Sequence, residues 1–296
     1  MPAPYRTALS LLALLALMPV FARALAPTSE GTIPFPYQGE TFQTFTKVFG
    51  DLSAAAAPAP LVVLHGGPGL SHDYLLPIAD LAAATGTPTV FYDQIGNARS
   101  THLRTKPASF WTIDLFVAEL ANLVAHYGLG GSFALLGHSW GGVLGSEFVV
   151  RTQPAGLRKL VLSDTLASEA LWSTSVGQLL QPFPEWVQQG VVGGMADPSA
   201  FQQALDVFYG VHGCTVRPLP EGIVPGGWTI EDRVGEIAAP TLVINGAADL
   251  AQDFVVAPFV QGVPGARWVK FNASSHTPFL EETARYIQVV GGFLAE

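Results

Sequence analysis

Between Phe133 and Phe148 the chain reads FALLGHSWGGVLGSEF, and few stretches of sequence constrain a fold so tightly. Phe133 to Leu136 is a short apolar run of the kind that makes a buried strand. From Val143 onward the pattern is helical. Gly-His-Ser-Trp-Gly stands between them. A Gly-x-Ser-x-Gly turn from strand to helix holds its serine in a strained conformation, so the residues two positions away must be small. Gly137 and Gly141 meet that demand, and Gly142 and Gly145 let the helix pack close to a sheet. The helix N-terminus favours negative charge beside Ser139. Ser139 is therefore a candidate nucleophile. The bland alternative, a glycine-rich turn carrying an ordinary serine, leaves the flanking strand and helix unexplained.

The remaining chain supplies a sheet for this turn. PLVVLHGG (60–67), TPTVFYDQ (87–94), LRKLVLSD (157–164), APTLVINGAAD (239–249) and ARWVKFNASSH (266–276) are β-branched or apolar runs ended by glycine or polar residues. They read as strands apolar on both faces, as a parallel sheet requires. FQTFTKVFG (42–50) reads as an antiparallel edge strand. Helical stretches alternate with these runs. Over 110–128, Ile113, Phe116, Val117, Leu120 and Val124 share one face before a glycine stop. Strand–helix alternation with short loops predicts an α/β fold with a doubly wound, mostly parallel sheet. From about Ser168 to Val234 the rhythm breaks. Trp172, Trp186 and Trp228, several prolines and FQQALDVFYGVH point to a helical insertion. The expected organisation is a leader at 1–26, a core in two parts at 27–167 and 235–296, and a cap at 168–234.

Composition excludes some functions. The chain has 296 residues, 49% hydrophobic, enough for one large core. A net charge of −9 offers no basic stripe for nucleic acid. One cysteine, Cys214, permits neither a disulfide framework nor a Cys-rich metal site. The N-terminus has Arg6, then an apolar stretch from Ala8 to Val20, then Ala22, Ala24 and Ala26. This is the pattern of a secretory signal cleaved after Ala24 or Ala26. The stretch is shorter than the roughly 20 residues that span a bilayer, so no stable membrane partner is expected. Asn272 heads an Asn-Ala-Ser sequon, a candidate glycosylation site.

A nucleophilic serine needs a base, and the base an orienting acid, in the chain order serine, acid, histidine. His276 follows the last strand and precedes the last helix. His65 and His138 sit inside loop motifs, where they are expected to hydrogen-bond the loops. Asp249, at the tip of the preceding strand, leads as the acid, with Asp164 second and Asp253 third. The backbone N–H of Trp140, directly after the nucleophile, is one expected oxyanion donor. The other comes from HGGPG (65–69), with Gly67 favoured and Gly66 second.

With these residues in place the sequence resembles a family. HGGPG, YDQIGNARS, GHSWGG, FYGVH and SSHTPFLEE together look like the proline iminopeptidase family of α/β-hydrolases, most of all its fungal-type branch. The resemblance runs from about Leu61 to the C-terminus. It implies a Ser139–Asp249–His276 triad, Gly67 and Trp140 amides, no metal or other cofactor, and a helical cap whose glutamates hold a substrate's free amino terminus. Gln203 stands where members carry an acid, with Asp206 nearby, and Ala98 where relatives have glycine. The Asn-Gly-Pro-x-Glu-Phe stretch of the cap is missing. Glu169, Asp206 or Glu221 are the candidate replacements. The expected activity is hydrolysis, through an acyl-enzyme, of small amides or N-terminal residues of peptides. The alternative is an esterase, lactonase or tailoring hydrolase of a neutral small molecule. A silent binding module fits poorly with an intact set of serine, acid and histidine.

Overall fold

A computed structural model describes residues 26–54, 57–214 and 228–296. The expected leader, apart from Ala26, and Glu221 lie outside them. Eight strands form one sheet: β1 (Ser29–Tyr37), β2 (Glu40–Phe49), β3 (Leu61–Leu64), β4 (Thr89–Asp93), β5 (Phe133–His138), β6 (Leu157–Ser163), β7 (Thr241–Gly246) and β8 (Arg267–Phe271). Their order is β1-β2-β4-β3-β5-β6-β7-β8. β2 runs antiparallel to both its neighbours, and the others are parallel.

Two expectations about strands are corrected. The run at 42–50 is not the edge: β2 pairs on both sides, and β1 lies outside it. Pro34 and Pro36 disguise β1, because proline cannot donate to a ladder and is tolerated only at an edge. Ile33 and Phe35 still alternate inward. A two-residue turn joins the pair, with Gln38 and Gly39 both at positive φ (49° and 82°), as the twist of a tight hairpin demands. β8 is not buried on both faces. It is the opposite edge, and of its residues only Phe271 is buried.

Helices cover both faces of the sheet. α1 (Asp80–Thr85) precedes β4, α2 (Ile113–His126) precedes β5, and α3 (Trp140–Thr152) follows it. α4 (Glu169–Leu180), α5 (Glu185–Gly193) and α6 (Pro198–His212) lie between β6 and β7, in the stretch expected to be helical. α7 (Asp253–Gly262) precedes β8, and α8 (Pro278–Glu281) and α9 (Thr283–Ala295) end the chain. The period of two divides the strands cleanly. Val62 and Leu64 face a core with Leu120 of α2, Phe148 of α3 and Phe259 of α7. Leu61 and Val63 face another with Leu81 of α1 and Tyr286 and Val290 of α9. A small third core, with Val187, Ala204 and Phe208, joins the helices between β6 and β7. An isolated bridge from Ser168 to Thr229 closes the base of that segment. Among the described residues no helix is long and apolar enough to cross a membrane.

α2 begins where Thr112 caps it, its side chain accepting from the Leu115 N–H. Its buried stripe includes Leu115 and Leu123 and takes in Glu119, which the apolar pattern did not reveal. Both Glu119 oxygens accept from the Ile95 N–H (3.0 and 2.9 Å), and one also accepts from Thr44. Burial pushes this carboxyl up to about 8. It ties the helix to the loop after β4, beneath the site.

Candidate active site

Ser139 sits between β5 and α3 with φ 54° and ψ −122°, a region that non-glycine residues occupy only under constraint. Packing supplies the constraint. A Cβ on Gly137 would stand 2.3 Å from the Gly141 carbonyl oxygen, and one on Gly141 would stand 2.1 Å from that of Leu64. Neither distance is possible, so the turn closes only with glycine at both positions. The Ser139 N–H donates to the Ser163 carbonyl (3.0 Å), and the Thr165 hydroxyl donates to the Ser139 carbonyl (2.7 Å). Both sides of the turn are thereby fixed to the end of β6.

His276 and Asp249 meet after β8 and β7. Nδ1 of His276 lies 2.6 Å from Oδ1 of Asp249. A carboxylate only accepts, so Nδ1 carries the hydrogen and Nε2 keeps its lone pair. Asp249 also accepts from the Ala251 N–H (2.8 Å) and, more weakly, from Gly246 N–H (3.4 Å). Trp172 of α4 packs edge-on to the His276 ring, 5.4 Å between centroids. Asp253 is not part of this group: it starts α7, pairs with Lys270 at 2.8 Å and bonds Asn245. Asp164 is part of it. Donor atoms of Asp164, Asp249 and His276 all lie within 4.8 Å of one another. Three such groups could hold a metal ion in principle, but the 2.6 Å contact between His276 and Asp249 is a direct hydrogen bond with no room for an ion between them.

The HGGPG loop is held by the two histidines expected to serve it. His65 donates from Nδ1 to the Gly66 carbonyl (2.9 Å) and accepts at Nε2 from the Gln94 N–H (3.0 Å). Burial lowers its pKa to about 4, so it is a neutral strut. His138 donates from Nε2 to the His276 carbonyl (2.7 Å) and accepts at Nδ1 from the Tyr74 hydroxyl (2.8 Å). Burial, then the adjacent His276, hold it well below the usual histidine range. Tyr74 in turn accepts from the Gly66 N–H (2.7 Å). That bond separates the two oxyanion candidates, because the Gly66 amide is already committed. Gly67, at φ 112°, remains. The Trp140 N–H lies in the first turn of α3, where helix amides lack partners within the helix. Its indole donates to Gln94 Oε1 (2.9 Å), and Gln94 Nε2 donates to the His65 carbonyl (3.0 Å). Tyr74 and Gln94 went unnoticed in the sequence. Tyr74 carried no signal there, whereas Gln94 stood inside the YDQ run.

A cavity of about 390 Å³ opens above the serine. Gly67, Ser139 and Trp140 line its inner end, and Leu166, Trp172, Val176, Leu180, Val191 and Trp228 line the rest. Among the described residues Glu169 is its one carboxylate, and Oε2 accepts from the Trp228 N–H at 2.7 Å. Asp206 does not line it: it is exposed on α6 and accepts from Gln202. Gln203 is exposed on the same helix. Asn272 is exposed in the turn after β8.

Known proteins resemble the chain in sequence and fold. The model of the alpha/beta hydrolase fold family matches residues 59–194. The proline iminopeptidase of Lactobacillus delbrueckii subsp. lactis is 31% identical, with 90% of this chain and 98% of that enzyme covered. The chain belongs to the proline iminopeptidase family. Its member from Clostridioides difficile (strain 630) is 30% identical, covering 98% of that enzyme. The crystal structure of a proline iminopeptidase from Mycobacterium smegmatis superposes with a TM-score of 0.79 at 34% identity, over 90% of this chain and 98% of the other. The crystal structure of VinJ superposes with a TM-score of 0.83 at 37% identity, over 91% and 99%. An esterase from Exiguobacterium antarcticum, 15% identical, shares the fold alone. This member of the proline iminopeptidase family is thus an α/β-hydrolase and a hydrolytic enzyme. The fungal-type branch stays an expectation from sequence.

Proposed function

We propose that this hydrolase cleaves small amides, and the N-terminal residue of short peptides, through an acyl-enzyme on Ser139. The observation that carries the reading is the 2.6 Å contact of His276 Nδ1 with Asp249, on a strand end beside the strained serine turn. In the mechanism, His276 Nε2 takes the proton from the Ser139 hydroxyl as Oγ bonds to the substrate carbonyl carbon. Asp249 fixes the tautomer and stabilises the imidazolium. The Gly67 and Trp140 amides receive the carbonyl oxygen as it gains charge. The imidazolium then returns its proton to the leaving nitrogen, the C–N bond breaks, and the acyl group stays on Oγ. Water repeats the sequence with His276 as base and frees the acid.

Glu169 is the proposed partner of the substrate's free amine, being the one carboxylate on the cavity wall among the described residues. A second reading, hydrolysis of esters or lactones of neutral molecules, draws on the same wall. Its lining is otherwise mostly apolar, and Glu169 already accepts from Trp228. Prolyl and alanyl p-nitroanilides, their N-acetylated forms and p-nitrophenyl acetate, each with Ser139→Ala as control, separate the two. Release from the free-amine anilides, with N-acetylated forms refused, supports the first reading. Ester turnover alone, or indifference to N-acetylation, discards it. We further propose that the enzyme is secreted, on the strength of the expected leader.

A further inference from the structure

The pairing of Asp164 with Asp249 is not needed by the mechanism above. β6 and β7 are neighbours, and Asp164 and Asp249 follow their ends. Asp164 is fully buried, with φ 52°. Its Oδ2 accepts from the Ser163 hydroxyl (2.6 Å), which accepts from the Tyr286 hydroxyl (3.0 Å). Its Oδ1 has no hydrogen-bond donor among the described residues. A buried carboxylate oxygen left in that state is costly.

Among the described residues, the titratable groups that face Asp164 are Asp249 from the loop after β7, His276 from the loop after β8, Glu281 on α8, Tyr286 on α9 and Tyr74 from the 3-10 turn between β3 and α1. None is a lysine or an arginine. Two ionised carboxylates here would share a single imidazole as counter-charge. One proton between them removes the conflict, as in other close carboxyl pairs. Three donors converge on Asp249, from Gly246, Ala251 and His276, against one on Asp164. The proton therefore belongs to Asp164, where it turns the orphaned oxygen into a donor. Burial and then the Asp249 charge hold that carboxyl well above its usual range, in accord with the geometry.

We propose that Asp164 is a positioning residue in its neutral acid form, donating a hydrogen bond from Oδ1 to the Asp249 carboxylate and so holding that carboxylate against His276. The proposal rests on the reading of Ser139, Asp249 and His276 as the reacting set. Its consequence is a sign. A neutral donor draws charge from Asp249, whereas an ionised Asp164 would add a second negative charge beside His276.

Asp164→Asn and Asp164→Leu, assayed with alanyl p-nitroanilide and p-nitrophenyl acetate across pH, read that sign. Asparagine keeps a neutral donor, so the acid limb of kcat/KM stays in place and kcat changes only a few-fold. Leucine has no donor: the limb moves to higher pH, and kcat falls by about ten- to a hundredfold, as for a lost bond to a charged group. A limb that moves to lower pH in Asp164→Asn shows that a negative charge was removed, and overturns the proposal. If the leucine variant does not fold, infrared difference spectra of the wild type against Asp164→Asn decide. A protonated-carboxyl C=O band near neutral pH in that difference is expected, the Glu119 band cancelling because both proteins carry it, and a difference without the band overturns the proposal. The band needs no turnover. Failure of the triad reading, seen as undiminished rates in His276→Ala, is therefore distinguishable from failure of this one.

Discussion

Gly141→Ala tests the packing that strains Ser139. The added Cβ would stand 2.1 Å from the Leu64 carbonyl oxygen, 2.6 Å from its carbonyl carbon and 2.9 Å from the His65 carbonyl oxygen. All are backbone atoms at the end of β3 and the start of the HGGPG loop, so no side chain can swing aside. Carbon–oxygen contacts of this kind settle near roughly 3.3 Å, so α3 and β3 must part by about 1 Å. Overpacking on this scale costs about 1–3 kcal/mol in a core, read as a lower urea midpoint. The rate suffers more. Ser139 rides on the first turn of α3, and a displacement of about 1 Å in a reacting group costs on the order of a hundredfold. The loss should fall on kcat, with KM little changed. Gly292→Ala is the control: a Cβ there meets nothing within 4 Å, and alanine in a helix gains roughly 0.5–1 kcal/mol over glycine with no change in rate. If Gly141→Ala keeps both the wild-type midpoint and the wild-type kcat, the strained-turn account is wrong.

Tyr74→Phe removes the link between the Gly66 amide and His138. It leaves two buried groups unpaired at about 1–3 kcal/mol each. Stability by urea denaturation should drop, and kcat should fall because Gly67 is no longer held; unaltered values for both would contradict this. His65 gives a pH dependence of known sign. Its folded pKa of about 4 lies below the unfolded 6.5, so the unfolded chain takes the proton first. Its contribution is complete above pH 6.5 and declines as pH falls toward 4, by about 3 kcal/mol in all. Urea midpoints at pH 7 and pH 4.5 should therefore differ less in His65→Gln than in the wild type, and equal differences refute the assignment. For the proposed leader, mass spectrometry of protein from a secreting host should find an N-terminus at Leu25 or Pro27. An intact Met1 in the medium would count against it.

The sequence singled out Ser139 and His276 as candidates because each lies in a local pattern that chemistry makes specific. A strained turn needs its glycines nearby in the chain, and a base needs a place after a strand. Asp249 was harder, since Asp164 ends a strand in the same way. Sequence could only rank them, and the sheet order brings the two carboxyls together. β1 was missed because its prolines argue against a strand except at an edge, and edges are fixed by tertiary pairing. Glu119 and Tyr74 were silent for the same reason: each works through a partner far along the chain, Ile95 and Thr44 for one, His138 for the other. Asp206 was chosen by its position in the sequence, but α6 turns it to solvent. Glu169 reaches the cavity wall because it begins α4, directly after the bridge between Ser168 and Thr229.

The central claim is that Ser139 becomes acylated. The most direct measurement is to treat the enzyme with a serine-directed fluorophosphonate and locate the adduct by peptide mass spectrometry. The account predicts a single adduct on Ser139, formed at a rate that collapses in His276→Ala, with hydrolysis lost in step with labelling. Labelling on another serine, or full hydrolysis by Ser139→Ala, would contradict it.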